Sequence, residues 1–137
     1  MTGRKYGQCF EGVPWQHRVR GYGDILWLMK MPEAAFSTTD WSQVPVTEHP
    51  GDSGKALWRT QMFGEIRVRM VEYSADYEAD HWCAKGHVLL CLDGELETRL
   101  ADGRTFTLKP GMSYHVGDGE PAHRSFTKAG ARLFIVD

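Results

Sequence analysis

The chain lacks the marks of a membrane or exported protein. No uninterrupted apolar run exceeds five residues, as in Ile25 to Met29, against the roughly 18 that a membrane span requires. The amino terminus has no charged start, long apolar stretch and small-residue cleavage site in series, so export is not expected. The three cysteines, Cys9, Cys83 and Cys91, are odd in number and widely spaced, which is not a disulfide framework. Free thiols in a reducing cytoplasm are the expectation. Charge of one sign is lacking too: 16 Lys+Arg stand against 18 Asp+Glu, for a net charge of -2. Arg18, Arg20, Arg67 and Arg69 cluster locally, but acids intervene and no basic stripe forms, so no nucleic-acid role is expected. A Gly-rich phosphate loop and a G-x-S-x-G nucleophile turn are both missing. After residue 55 no segment offers an amphipathic helix of ten residues, which excludes a helical domain.

What is present suffices for one ordinary domain. The chain has 137 residues, 42% of them apolar and 12% aromatic, enough for a real core and too much for intrinsic disorder. Residues 1–35 read as an N-terminal arm. Gly3, Gly7, Gly12, Gly21 and Gly23 interrupt it, while Trp15 and Ile25 to Leu28 could pack on something. It is either an arm against the main domain or a second subunit, or a disordered extension. Thr38 to Gly54 is turn-like, with Asp40 placed to cap a short helical turn over Trp41-Ser42-Gln43.

From Lys55 onward the period is two. Ile66, Val68 and Met70 alternate with Glu65, Arg67 and Arg69, and Val71 and Tyr73 continue in the opposite phase, which predicts a bulge near residue 70. Similar alternation runs through His87 to Leu92, Glu95 to Leu100 and Thr105 to Leu108. Ala131 to Val136 is nearly all apolar, as in a strand buried on both faces. Asp93-Gly94 and Asp102-Gly103 are hairpin signals between strand-like runs, and Pro110-Gly111, Asp118-Gly119 and Ala129-Gly130 mark further turns. The prediction is an all-β, antiparallel sandwich or barrel over residues 36–137.

One segment carries chemistry: Asp80-His81-Trp82-Cys83-Ala84-Lys85-Gly86-His87. On a strand, His81 and Cys83 would share a face, with Cα atoms about 6.6 Å apart, a reach suited to gripping one ion. Lys85-Gly86 permits a turn that returns His87 to that face, and His123 follows the Pro121-Ala122 entry to a later strand. Imidazole and thiolate are ligands for zinc, iron, nickel or copper. Taken singly, His81 or Cys83 reads more simply as a satisfied polar residue or a small buried one. Cys91, four strand residues or about 13 Å beyond His87, reads as core. Asp80 could orient a ligand imidazole or be merely exposed, and Trp82 reads as packing. One of Tyr114 and His115 should face the interior. His17 and His49 carry no assigned role.

The framework His81-x-Cys83-x3-His87-x6-Gly94 resembles the first motif of the cupins, G-x5-H-x-H-x3/4-E-x6-G. Pro110-Gly111-Met112 and His123 resemble the second. The Asp-His-Trp-Cys run and the Gly86 to Glu97 stretch behind it are similar to the small bacterial DHCW motif cupin fold proteins, over about the last three quarters of the chain. The resemblance implies a single-domain cupin, a double-stranded β-helix or jelly-roll barrel. It also implies one metal bound inside by His81, Cys83, His87 and His123.

The sequence departs from the usual cupin pattern: Cys83 stands for the second His, His87 for Glu, and Met112 for Asp. The activities of the three-His-one-Glu cupins therefore do not transfer by motif. A thiolate disfavours Mn²⁺ and Mg²⁺ and favours a divalent transition metal, zinc first, with iron or nickel as alternatives. Four ligands around zinc would close the site, as in structural sites; a larger coordination number would leave room for substrate. The expectations are a metalloenzyme on a small-molecule substrate, or a non-catalytic metal- or ligand-binding or sensing cupin, or a metal-free binder. The cytoplasm is expected from the free thiols, and the resemblance, with an open sheet edge that would need cover, implies a homodimer.

Overall fold

A computed structural model of the protein describes residues 34–137. Apart from Ala34 and Ala35, the arm expected over residues 1–35 lies outside the described residues, as do Cys9, Trp15, His17 and the apolar run from Ile25. Asp40 does cap a short turn: its Oδ1 accepts from the Ser42 amide at 3.0 Å, ahead of a 3-10 turn at Trp41–Gln43.

Ten strands follow. They are β1 (Val46–Pro50), β2 (Lys55–Phe63), β3 (Ile66–Tyr73), β4 (Tyr77–Glu78), β5 (His87–Gly94), β6 (Leu96–Leu100), β7 (Thr105–Leu108), β8 (Ser113–Val116), β9 (His123–Thr127) and β10 (Ala131–Val136). They form two antiparallel sheets, of order β1-β2-β3-β10-β5-β8 and β4-β9-β6-β7. From β3 onward the chain shuttles between the sheets, so neighbours in sequence are mostly not neighbours in a sheet. This is the jelly-roll arrangement expected from the sequence. No described helix is long and apolar enough to cross a membrane.

Alternate residues of both sheets face inward. Val71, Leu89, Cys91, Leu133 and Ile135 of the larger sheet meet Leu96 and Leu108 of the smaller one in a single buried cluster. Leu96, Cys91 and Leu133 are fully buried. At such a site, truncating a Leu to Ala costs roughly 2–5 kcal/mol. Cys91 is thus a core residue, as read from sequence.

Two local expectations are corrected. β3 has no bulge at residue 70: its register against β2 and β10 is continuous. Arg69, Val71 and Tyr73 are the residues in phase with inward Ile135, Leu133 and Ala131, so Met70 faces outward, where its partner Phe134 meets Trp41 edge-on. The apolar residues before Val71 cover an outer face, and their phase change marks a change of face rather than an extra residue. The irregularity lies instead in β5, where Cys91 pairs with Leu133 and Asp93 with Arg132, leaving Leu92 as the extra residue. Finally, Asp102-Gly103 does join a hairpin, β6 to β7, but Asp93-Gly94 carries the chain from one sheet to the other. Gly94 has φ +75, and a Cβ there would lie 2.2 Å from the Gly130 carbonyl. Close approach of two corners, not a two-residue hairpin, demands that glycine.

Candidate metal centre

Three donors converge where the two sheets meet at one end. Cys83 and His123 are locked opposite each other by two backbone bonds: the Cys83 amide donates to the His123 carbonyl at 2.8 Å, and the His123 amide donates back at 2.9 Å. Directly opposed residues of an antiparallel pair project to one face. His87 opens β5 in the other sheet. Gly86 makes that position reachable, because a Cβ there would lie 2.7 Å from the Asp118 amide nitrogen, and its own amide donates to Asp118 Oδ1 at 2.6 Å. The ligating atoms of Cys83, His87 and His123 all lie within 4.8 Å of one another. His87 Nε2 and His123 Nε2 are 3.2 Å apart.

His81 is not brought into this group. The chain bends at Asp80 and His81 instead of running as a strand, so the alternation that would align His81 with Cys83 does not apply there. The imidazole is 72% exposed and its Nδ1 sits 2.5 Å from Asp80 Oδ1. Asp80 therefore orients an imidazole, but one outside the cluster. Trp82, read as a packing residue, is 47% exposed.

Tyr114 completes the site. Leu89 pairs with Tyr114 and His87 with Val116, so Tyr114 rather than His115 faces inward. Its hydroxyl lies 2.8 Å from His87 Nε2. The alternating pattern of β8 narrowed the choice to Tyr114 or His115, and only the register against β5 selected between them. Sequence reasoning missed a second feature, a buried ionic cluster on the inner face of β3. Asp137, with its side chain 1% exposed, accepts two bonds from Arg67 and one from Arg69, each 2.7 Å. The Arg69 guanidinium lies 4.4 Å from the Trp58 ring centroid.

The electrostatics favour neutral imidazoles. Burial first, then His123 and the charge of Arg69, lower the His87 pKa from 6.5 to about 4. Burial lowers that of His123 as well. Neutral imidazole is the ligating form. His123 Nδ1 is buried without a hydrogen-bond partner; the Pro121 backbone is close enough only to offset the burial in part. Burial raises the Tyr114 pKa, keeping its hydroxyl a donor. By type, one thiol and two neutral imidazoles match a borderline transition metal such as zinc or iron(II).

A cavity of about 590 Å³ opens between β7 and β8, the free edges of the two sheets, and reaches Tyr114 and His123. Its size lies in the range of small-molecule sites.

The chain matches no described protein family and no curated protein. Among solved structures it is similar to the polyketide cyclase RemF from Streptomyces resistomycificus, at 23% identity and TM-score 0.61, covering 74% of this chain and 78% of that one. It is also similar to a cupin-superfamily sugar phosphate isomerase from Silicibacter pomeroyi, at 15% identity and TM-score 0.59, covering 73% and 74%. An Fe(II) form of HppE matches at 17% identity and TM-score 0.61, covering 74% of this chain and 60% of that one. The fold of the described residues is the cupin fold.

Proposed function

We propose that the protein binds one divalent transition metal through Cys83, His87 and His123, and that this centre serves a small molecule entering between β7 and β8. The observation that carries the reading is the convergence of three donors within 4.8 Å, two from the Cys83 to His87 segment and one from His123, 36 residues further on. Zinc is the first choice, with iron or nickel as alternatives, since a thiolate disfavours harder ions. His81 is left out of the inner set because it faces solvent beside Asp80. When bound, such an ion supplies Lewis acidity toward a carbonyl or hydroxyl oxygen. The protein's own residues hold the two imidazoles neutral and place Tyr114 beside His87.

A metalloenzyme is the reading favoured by the cavity that reaches His123. A binding or sensing cupin with a structural metal is the alternative, and is favoured by any finding that the metal's coordination is closed to small anions. The working setting proposed is the cytoplasm, supported by Cys83 and Cys91 both being free thiols, and the assembly proposed is a homodimer.

The test is elemental analysis of the full chain purified without added metal, then after loading with zinc, iron(II) or nickel. About one metal per chain is expected, with loss of most of it in Cys83→Ser and His87→Ala. No stoichiometric metal under any loading would overturn the proposal.

A further inference from the structure

The cavity between β7 and β8 ends on two hydroxyl groups. Thr98, on the inward face of β6, is 2% exposed, and its Oγ1 has no hydrogen-bond partner. Tyr114 reaches the same cavity from β8. No hydrogen bond joins Thr98 Oγ1 to the Tyr114 hydroxyl, whose partner is His87 Nε2. A buried hydroxyl without a partner is costly, so it marks a place where a polar atom belongs.

The remaining wall is of a different kind. Leu108 and Val116 line the interior, and Phe106 and Met112 stand about half exposed at the opening. The one arginine on the wall, Arg104, is already engaged, its Nε and Nη2 both donating to Asp102 Oδ2 at 2.9 and 2.7 Å. Glu120 and His115 line the cavity as well, so the wall away from the metal donors offers an anion no lysine and no unpaired arginine.

We infer that this cavity takes a neutral, largely apolar small molecule bearing one carbonyl or hydroxyl oxygen, and that this oxygen is received by Tyr114 Oη and Thr98 Oγ1. The inference rests on the proposed metal centre in one respect. With the His87 proton on Nδ1, Tyr114 donates to His87 Nε2; an ion held at that nitrogen uses the same lone pair and turns the hydroxyl toward the cavity. Tyr114 is then the residue that distinguishes an oxygen-bearing ligand from a hydrocarbon of the same shape.

The test uses three probes of one width: acetophenone, ethylbenzene and benzoate, titrated into the full-length, metal-loaded protein and followed by backbone amide shifts. The shifts are expected at Thr98, Leu108 and Tyr114. Acetophenone should bind about fivefold or more tightly than ethylbenzene, the worth of one neutral hydrogen bond, and more tightly than benzoate. Tyr114→Phe should abolish the preference for the ketone over ethylbenzene. Thr98→Val should reduce the preference in the same direction. Equal affinity for ketone and hydrocarbon, tightest binding of benzoate, no binding of any probe, or shifts mapping elsewhere would each overturn the inference. The two proposals fail separately: a protein that takes up no stoichiometric metal under any loading yet shows the ketone preference refutes the metal centre alone, and a metal-replete protein without the preference refutes the ligand class alone.

Discussion

Replacing Asp137 by Asn removes the carboxylate that contacts two inward-facing arginines. Asp137 is almost wholly buried and accepts from Arg67 Nε and Nη2 and from Arg69 Nη2, all at 2.7 Å. Arg69 is 8% exposed at its side chain, so Asp137→Asn leaves a guanidinium charge out of water against a neutral amide and the Trp58 ring, without its counter-charge. Breaking a buried pair on one side costs about 3–5 kcal/mol. Arg67 is 35% exposed at its side chain, so water takes up part of its loss, and about 3 kcal/mol is the better figure. With a urea slope of about 1.5 kcal/mol per M, the unfolding midpoint should fall by about 2 M. The assay is equilibrium urea unfolding followed by tryptophan fluorescence. A shift under about 0.5 M at unchanged slope would refute the reasoning, because Arg69 would then not depend on Asp137 for its charge. Combining Asp137→Asn with Arg69→Met should restore part of the loss, since the orphaned charge is gone.

Acid should act in two separate windows. His87 is lowered from 6.5 to about 4 by burial, His123 and Arg69, so the unfolded chain takes this proton before the folded one. Stability therefore falls as pH drops from about 6.5 to about 4, by roughly 1–2 kcal/mol after allowing for solvent screening of a half-buried ring. Burial pushes the Asp137 carboxyl up, but Arg67 and Arg69 overcome this and hold it below the ordinary value of 3.8; its contribution is present above that value and lost below it. A pH series of urea midpoints should show a smaller upper window in His87→Gln, with His123 supplying what remains, and should lose the lower one in Asp137→Asn; an unchanged profile in either variant contradicts the assignment. Gly94→Ala should destabilise severely or yield no folded protein, because its Cβ meets the Gly130 carbonyl at 2.2 Å, whereas Gly103→Ala, with φ +94 and nothing within 4 Å, should cost only about 1 kcal/mol by thermal unfolding. His81→Ala should keep the metal content of the parent; a loss comparable to that of Cys83→Ser would mean that His81 joins the set.

Much of the fold was legible because alternation is a local property. The β runs, the cap at Asp40 and the hairpin at Asp102-Gly103 each depend on a few neighbouring residues. The reading faltered where a local signal had two structural meanings. Asp-Gly at 93–94 serves a hairpin or a corner equally well, and only the approach of Gly130 distinguishes them. In β3 the apolar side chains Val68 and Met70 cover an outer face, while the inner face at that end is given to Arg69 and Asp137, a pattern that hydrophobic phase alone reads backwards. Trp82 is exposed for a related reason, since the chain around it is bent and has no second face to pack.

The candidate site divides in the same way. The amino-acid sequence by itself determined that the chain is β-rich, that its donors are thiol and imidazole, and that Cys83, His87 and His123 stand at strand entries and turns. These follow from residue type and from spacings of a few residues. Tertiary structure alone decided that Cys83 pairs with His123, that Tyr114 and not His115 joins His87, and that His81 turns away with Asp80. Those outcomes depend on register between strands up to 40 residues apart and on one bend, and a shift of a single residue in register sends every side chain of a strand to the opposite face.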